Sequence, residues 1–187
     1  DAAAGDYFGR AVAIDGGIVV VGARSKEAAY VFRTTDGVTY DQVAKLTASD
    51  GASGDWFGHS VAIDGATIVI GTESGGAAYV FHTTDDWDTH TEIKLTAADT
   101  AASDEFGYSV AIDGGTVVVG ATQYWNDGSG AVYVFRTTDG WATHTEIKLT
   151  AADVAEGDKF GRSVAIDGNT IVVGTFYGEA AYVFRLM

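Results

Sequence analysis

Cysteine and proline are both absent from the 187 residues. Without cysteine there can be no disulfide and no thiolate metal site, and the redox compartment is left open. Without proline, turn-making falls to the 25 glycines and to recurring Asp-Gly pairs. Basic residues are scarce: eleven Lys and Arg stand against 26 Asp and Glu, a net charge of −15. Such a surface repels phosphate backbones and anionic lipid heads, which argues against nucleic-acid and membrane partners. The acid is scattered through turns and forms no block, so it reads as solvated surface, suited to a saline extracellular setting. No apolar run approaches the ~20 residues of a membrane span, and no secretory-signal pattern opens the chain. Beginning at Asp1, the chain reads as a processed product or as a piece excised from a longer one.

What is present is repetition. Phe-Gly recurs at Phe8-Gly9, Phe57-Gly58, Phe106-Gly107 and Phe160-Gly161, in steps of 49, 49 and 54 residues. After each comes a short strand such as Ser60-Val61-Ala62-Ile63. An Asp-Gly turn follows (Asp15, Asp64, Asp113, Asp167), a strong hairpin signal between β-branched runs. The second strand is wholly apolar, as in Ile18-Val19-Val20-Val21, and ends at glycine. The third carries Tyr30-Val31-Phe32 and its equivalents up to Tyr182-Val183-Phe184, and a Thr-Thr-Asp turn follows it in the first three copies. The fourth alternates charge with bulk, as in Glu92-Ile93-Lys94-Leu95.

Strands one and two are apolar on both faces and need cover on both; strand four is polar on one side and belongs at a rim. No segment shows the 3.6-residue apolar period of a helix. Repeats of this length, each several short strands, predict an all-β fold, a β-propeller whose blades pack face to face around an axis.

The ordered motif resembles the FG-GAP family, the blades of integrin α-subunit propellers, over essentially the whole chain. The resemblance implies a non-enzymatic extracellular or cell-surface module for binding or adhesion, presenting one propeller face to protein or glycan partners. Two departures stand out. No proline follows the glycine that ends strand two, and the family's acidic Asp-x-Asp-x-Asp-Gly calcium loop is replaced by tight Asp-Gly turns. No cofactor is therefore expected; calcium, the family's ion, would have to be held without that loop.

The expected organisation is a single domain of four FG-GAP-type blades, approximately 1–50, 51–99, 100–153 and 154–187, the last lacking its outermost strand. The missing strand leaves three readings: a cut from a longer propeller, a four-bladed ring with an open edge, or a blade completed in trans. An open edge invites strand addition, which makes Tyr182, Val183 and Phe184 candidates for assembly into an oligomer or filament. A structural subunit of that kind is one alternative function; a repeat scaffold without an evolved ligand is another.

Candidate ligand-face residues are those that vary where the repeat is otherwise strict. The position after Phe-Gly is Arg10, His59, Tyr108 and Arg162, at the mouth of the innermost strand, where four polar side chains could meet an anionic or sugar ligand. The third copy alone carries five extra residues between strands two and three, and its Tyr124 and Trp125 could stack on a sugar ring. The recurring Asp6, Asp55, Asp104 and Asp158 read as turn caps. Trp87 and Trp141 read as packing residues. His90 and His144 fall on different blades with no third ligand nearby, so no zinc site is expected. No catalytic constellation is visible.

Overall fold

The computed structural model describes residues 3–124 and 128–187. Trp125, with Asn126 and Asp127, lies outside the described residues. Among the described residues, fifteen strands form four antiparallel sheets. Sheet 1 contains β1 (Phe8–Asp15), β2 (Ile18–Ala23), β3 (Ala28–Arg33) and β4 (Asp41–Leu46). Sheet 2 contains β5 (Ser60–Asp64), β6 (Thr67–Gly71), β7 (Ala78–His82) and β8 (Thr91–Leu95). Sheet 3 contains β9 (Phe106–Asp113), β10 (Thr116–Ala121), β11 (Ala131–Arg136) and β12 (Thr145–Leu149). Sheet 4 has only β13 (Ser163–Asp167), β14 (Thr170–Gly174) and β15 (Ala181–Arg185). Within each sheet the strands lie in chain order, so the fold is a β-propeller of four blades whose last lacks the outermost strand.

Each blade has two unlike faces. One carries a row of small side chains: Ala13, Val20 and Val31 stand opposite one another in sheet 1, and Ala111, Val118 and Val134 in sheet 3. The other is bulky, with Val61, Ile68, Ile70, Tyr79 and Phe81 in sheet 2 joined by Phe57. Small face meets bulky face between each pair of consecutive blades. Val20, Ala29 and Val31 of sheet 1 pack on Ile68, Ile70, Tyr79 and Phe81 of sheet 2. Sheets 2 and 3, and sheets 3 and 4, repeat the pairing. The phenylalanine of Phe-Gly sits edge-on to the Tyr and Phe of strand three, as Phe57 does to Tyr79 at 5.5 Å and to Phe81 at 6.0 Å.

Polar bonds fasten the same seams. The N–H of Gly65 donates to the carboxylate of Asp15, that of Gly114 to Asp64 and that of Gly168 to Asp113, at 2.5–2.6 Å. The hydroxyls of Ser60 and Ser109 donate to the carbonyls of Gly107 and Gly161, both at 2.7 Å. The Phe-Gly glycine permits this approach. Gly58 holds φ +89°, and a side chain there would lie 2.5 Å from the Ala28 carbonyl of the preceding blade. Any other residue would be strained in the backbone and would also push the seam apart.

Three seams are sealed in this way, and the one between sheets 4 and 1 is not. Phe57, Phe106 and Phe160 are at most 1% exposed, whereas Phe8 is 45% exposed. Val12 and Ile14 on the bulky face of sheet 1 are both 66% exposed, and Val183 on the small face of sheet 4 is 70% exposed. Loss of the fourth strand reaches one blade further. Ile93 packs against the cluster that holds Trp141 of the next blade, while its equivalent Ile147 is 42% exposed because sheet 4 has no such rim. Trp87 and Trp141 are buried in the seams, as packing residues should be.

These burials predict unequal costs for equivalent mutations. Phe106→Ala should destabilise by about 3–5 kcal/mol, the usual cost of emptying a buried aromatic site. Phe8→Ala should cost less than half as much in dilute solution. Urea denaturation midpoints of the two variants check this.

Candidate ligand face at the axial mouth

Strand one of every blade starts at the same end of the propeller, so the residue after Phe-Gly is carried four times to one place. Arg10, His59, Tyr108 and Arg162 line a common opening of about 480 Å³, walled below by the starts of β1, β5, β9 and β13. The sequence singled out these four, and the structure brings them together. Tyr124 adjoins them: with Glu73, Glu105, Phe176, Tyr108 and Arg162 it lines a second cavity of about 220 Å³, which shares its last two residues with the opening.

Cations here lie on aromatic faces. The Arg162 guanidinium is 4.2 Å from the centre of the Tyr108 ring and 5.1 Å from that of Phe176. Arg24 lies over Tyr7 at 5.1 Å and over Trp56 at 4.4 Å, bridging the first two blades. Such pairs strengthen when solvent is excluded. Lys159, buried, donates to the carbonyls of Gln123 and Tyr124 at 3.0 and 3.1 Å, so it anchors the inserted loop of the third blade.

Two carboxylates are drawn in and spoken for. Glu73 accepts from Arg24 and lies 2.7 Å from the Nδ1 of His59, and Glu105 accepts from the Thr122 hydroxyl. Burial raises the Glu73 carboxyl above its ordinary range, an effect that the Arg24 charge opposes. His59 is only 6% exposed. Burial first, then the charges of Arg10, Arg24 and Arg162, lowers its imidazole to about 3, so it is neutral at physiological pH. The Nδ1 of neutral His59 lies 2.7 Å from the Glu73 carboxylate and 3.4 Å from the Arg24 guanidinium, and its ring is tilted at 54° to that of Tyr108, 4.6 Å away. By contrast, neither Arg10 nor Arg162 forms an ion pair with a carboxylate among the described residues.

The remaining candidates fall elsewhere. Tyr182 and Phe184 pack beneath Phe160 at centroid distances of 5.4 and 6.0 Å, while Val183 points from the opposite face. Asp6, Asp55, Asp104 and Asp158 each accept a backbone N–H three residues upstream at 2.7–2.9 Å, the turn-cap geometry expected of them. His90 and His144 lie edge-on to Phe81 and Phe135 of their own blades. Among the described residues, no group of three or more His, Asp or Glu gathers where a cation could sit. Sequence reasoning missed Arg24, Glu73 and Phe176. They occupy one equivalent position in the loop after strand two, and its variation from blade to blade was the available signal.

The neutral His59 sets a pH dependence. An unfolded imidazole takes up a proton near pH 6.5, whereas the folded one resists until about 3. Its contribution to stability is thus complete above pH 6.5 and is lost progressively as pH falls toward 3. The raised Glu73 carboxyl acts in the opposite sense, so the histidine is isolated by substitution. Thermal midpoints measured between about pH 7 and pH 4.5 should fall less steeply in His59→Gln than in the parent chain.

No curated protein matches the chain. Among solved structures it resembles a europium-containing methanol dehydrogenase, at 17% identity and a TM-score of 0.50, over 77% of this chain and 25% of that one. It also resembles Kuenenia stuttgartiensis hydrazine synthase, at 12% identity and a TM-score of 0.57, over 99% of this chain and 53% of that one. The chain therefore spans a quarter and about half of these two proteins, and at such identities the likeness is one of fold alone. The FG-GAP repeat model matches residues 1–32, 40–81, 90–135 and 144–184, and each of the last three stretches runs from the fourth strand of one blade to the third strand of the next. The chain belongs to the FG-GAP repeat family.

Proposed function

We propose that this chain is an extracellular or cell-surface adhesion module that binds an acidic group, carried by a glycan or a protein, at the axial mouth. The observation that carries the reading is a concentration of positive charge in a chain of net charge −15. Four of the eleven basic side chains, Arg10, Arg24, Lys159 and Arg162, stand around one end of the propeller. Two of these have internal duties: Arg24 is tied to Glu73, and Lys159 to the inserted loop. Arg10 and Arg162 keep their donors for an incoming carboxylate, sulfate or phosphate. Tyr108 and Tyr124 border the same site and hold the cations of Arg162 and Lys159 over their rings.

The opposite end carries Asp15, Asp64, Asp113 and Asp167 in its turns, with Arg33, Arg136 and Arg185 at the ends of the third strands beside them.

Binding to immobilised acidic and neutral oligosaccharides, read by surface plasmon resonance at two salt concentrations, tests the reading. Acidic sugars should bind and neutral ones should not, with affinity falling as salt rises. Arg162→Ala and Tyr108→Ala should each weaken binding about tenfold, the equivalent of 1.4 kcal/mol. Equal binding of neutral sugars, or indifference to both substitutions, would remove the mouth as the site. A chain that bound nothing would be a scaffold without an evolved ligand.

A further inference from the structure

The unsealed seam carries, on its two sides, the two halves of a contact that this chain already makes three times. Sheet 4 presents the small row Ala165, Val172 and Val183, the same residues in the same register that sheet 3 buries as Ala111, Val118 and Val134. Sheet 1 presents the bulky face. Phe8 already stands against Tyr30 at 5.5 Å and 64°, the arrangement of Phe57 against Tyr79, so the face is assembled before anything covers it.

The polar fastenings are in place as well. At the first seam the Glu27 carboxylate accepts three N–H groups of the next blade, from Gly54 at 2.9 Å, Trp56 at 3.1 Å and Phe57 at 2.7 Å. Glu27 does this from a left-handed backbone conformation, φ 52°. The fourth blade has Glu179 at the equivalent position, with φ 48°. The second and third blades have Gly76 and Gly130 there instead. Glu179 is exposed, and among the described residues no donor meets its carboxylate. A non-glycine residue in this conformation is uncommon and costs energy. Asp167 and Ser163 likewise lack the glycine partners that Asp113 and Ser109 have.

The geometry points to a second copy of this chain docking head to tail across the open seam, bulky face of one on small face of the other. Phe8, Val12 and Ile14 of the partner subunit would cover Ala165, Val172 and Val183. Glu179 would accept the N–H groups of Gly5, Tyr7 and Phe8 of the partner subunit, and Asp167 that of Gly16 of the partner subunit. Both surfaces are this chain's own seam, matched residue for residue, so the occupant that fits is another blade of the same repeat, and for the 187-residue chain by itself that is a second copy. The contact uses the sheet face, and Val183 belongs to it; Tyr182 and Phe184 point into the chain's own core. Contacts of this heterologous kind close into a ring where the rotation allows and otherwise propagate. The inference is independent of any ligand at the axial mouth.

Sedimentation velocity of the 187-residue chain over a range of concentrations tests it. The parent chain should associate reversibly, as a dimer or an open series. Val12→Glu and Val183→Glu each place a charge on one half of the seam and should weaken association at least about tenfold. Glu179→Ala, at an exposed position, should also weaken it while leaving the urea midpoint of the dilute chain unchanged. Glu27→Ala, at a sealed seam, should lower that midpoint instead. Mixing the two glutamate variants is decisive. One intact half survives in each, so an equimolar mixture should restore a 1:1 species. A parent chain that stays monomeric, association unchanged by both substitutions, or a mixture that fails to associate would each overturn the proposal.

Discussion

A β-sheet that is apolar on both faces has no stable existence by itself, and every other feature of this chain answers to that constraint. One blade has nowhere to put Val20 and Val31 except against the Ile68 and Ile70 of the next. The hydrophobic effect supplies the attraction without choosing a direction. Direction comes from the difference between faces. A row of Ala and Val accepts a face of Ile, Tyr and Phe, and two bulky faces would not interdigitate as well. From this asymmetry follow a common rotation from blade to blade and a chain with a distinguishable first and last surface.

The same arrangement makes a binding surface as a by-product. Strands that radiate from an axis bring one end of each innermost strand close together, so a single repeat position is multiplied around a circle. Structure has little use for uniformity there, and that position is free to be Arg10, His59, Tyr108 and Arg162. The loops above it vary too, which is how Arg24 and Glu73 come to pair across a seam from equivalent positions on adjacent blades. The propeller supplies rigidity, and the irregular positions supply chemistry.

Most of the fold was legible in the repeats. The Asp-Gly turns, the apolar second strand, the packing of Trp87 and Trp141 and the turn-capping of Asp55 and its equivalents all follow from local residue types, which act at short range. The convergence of the four ligand-face candidates was legible as well, because an axis of blades implies it. The exposure of Ile147 was not, since it depends on a strand missing from another blade. Nor was the difference between Phe8 and Phe57, equivalent in the repeat and opposite in burial, because Phe57 is covered by the preceding blade and Phe8 is not. Glu27 and Glu179 could be aligned by eye, yet their role needed the three N–H groups to be placed in space. Long-range complementarity is a property of surfaces, and local periodicity does not encode it.

Because the sealed seams share one apolar pairing of a small row on a bulky face, the core of the contact between blades carries no record of position along the chain. A gene segment encoding one blade could be duplicated or lost, and the new neighbours would still fit. Length in such a lineage is therefore limited by circumference rather than by recognition, and tandem copying can alter the width of the axial opening without inventing a new interface. The repeated Phe-Gly junction acts, in evolutionary terms, as a universal joint for blade number.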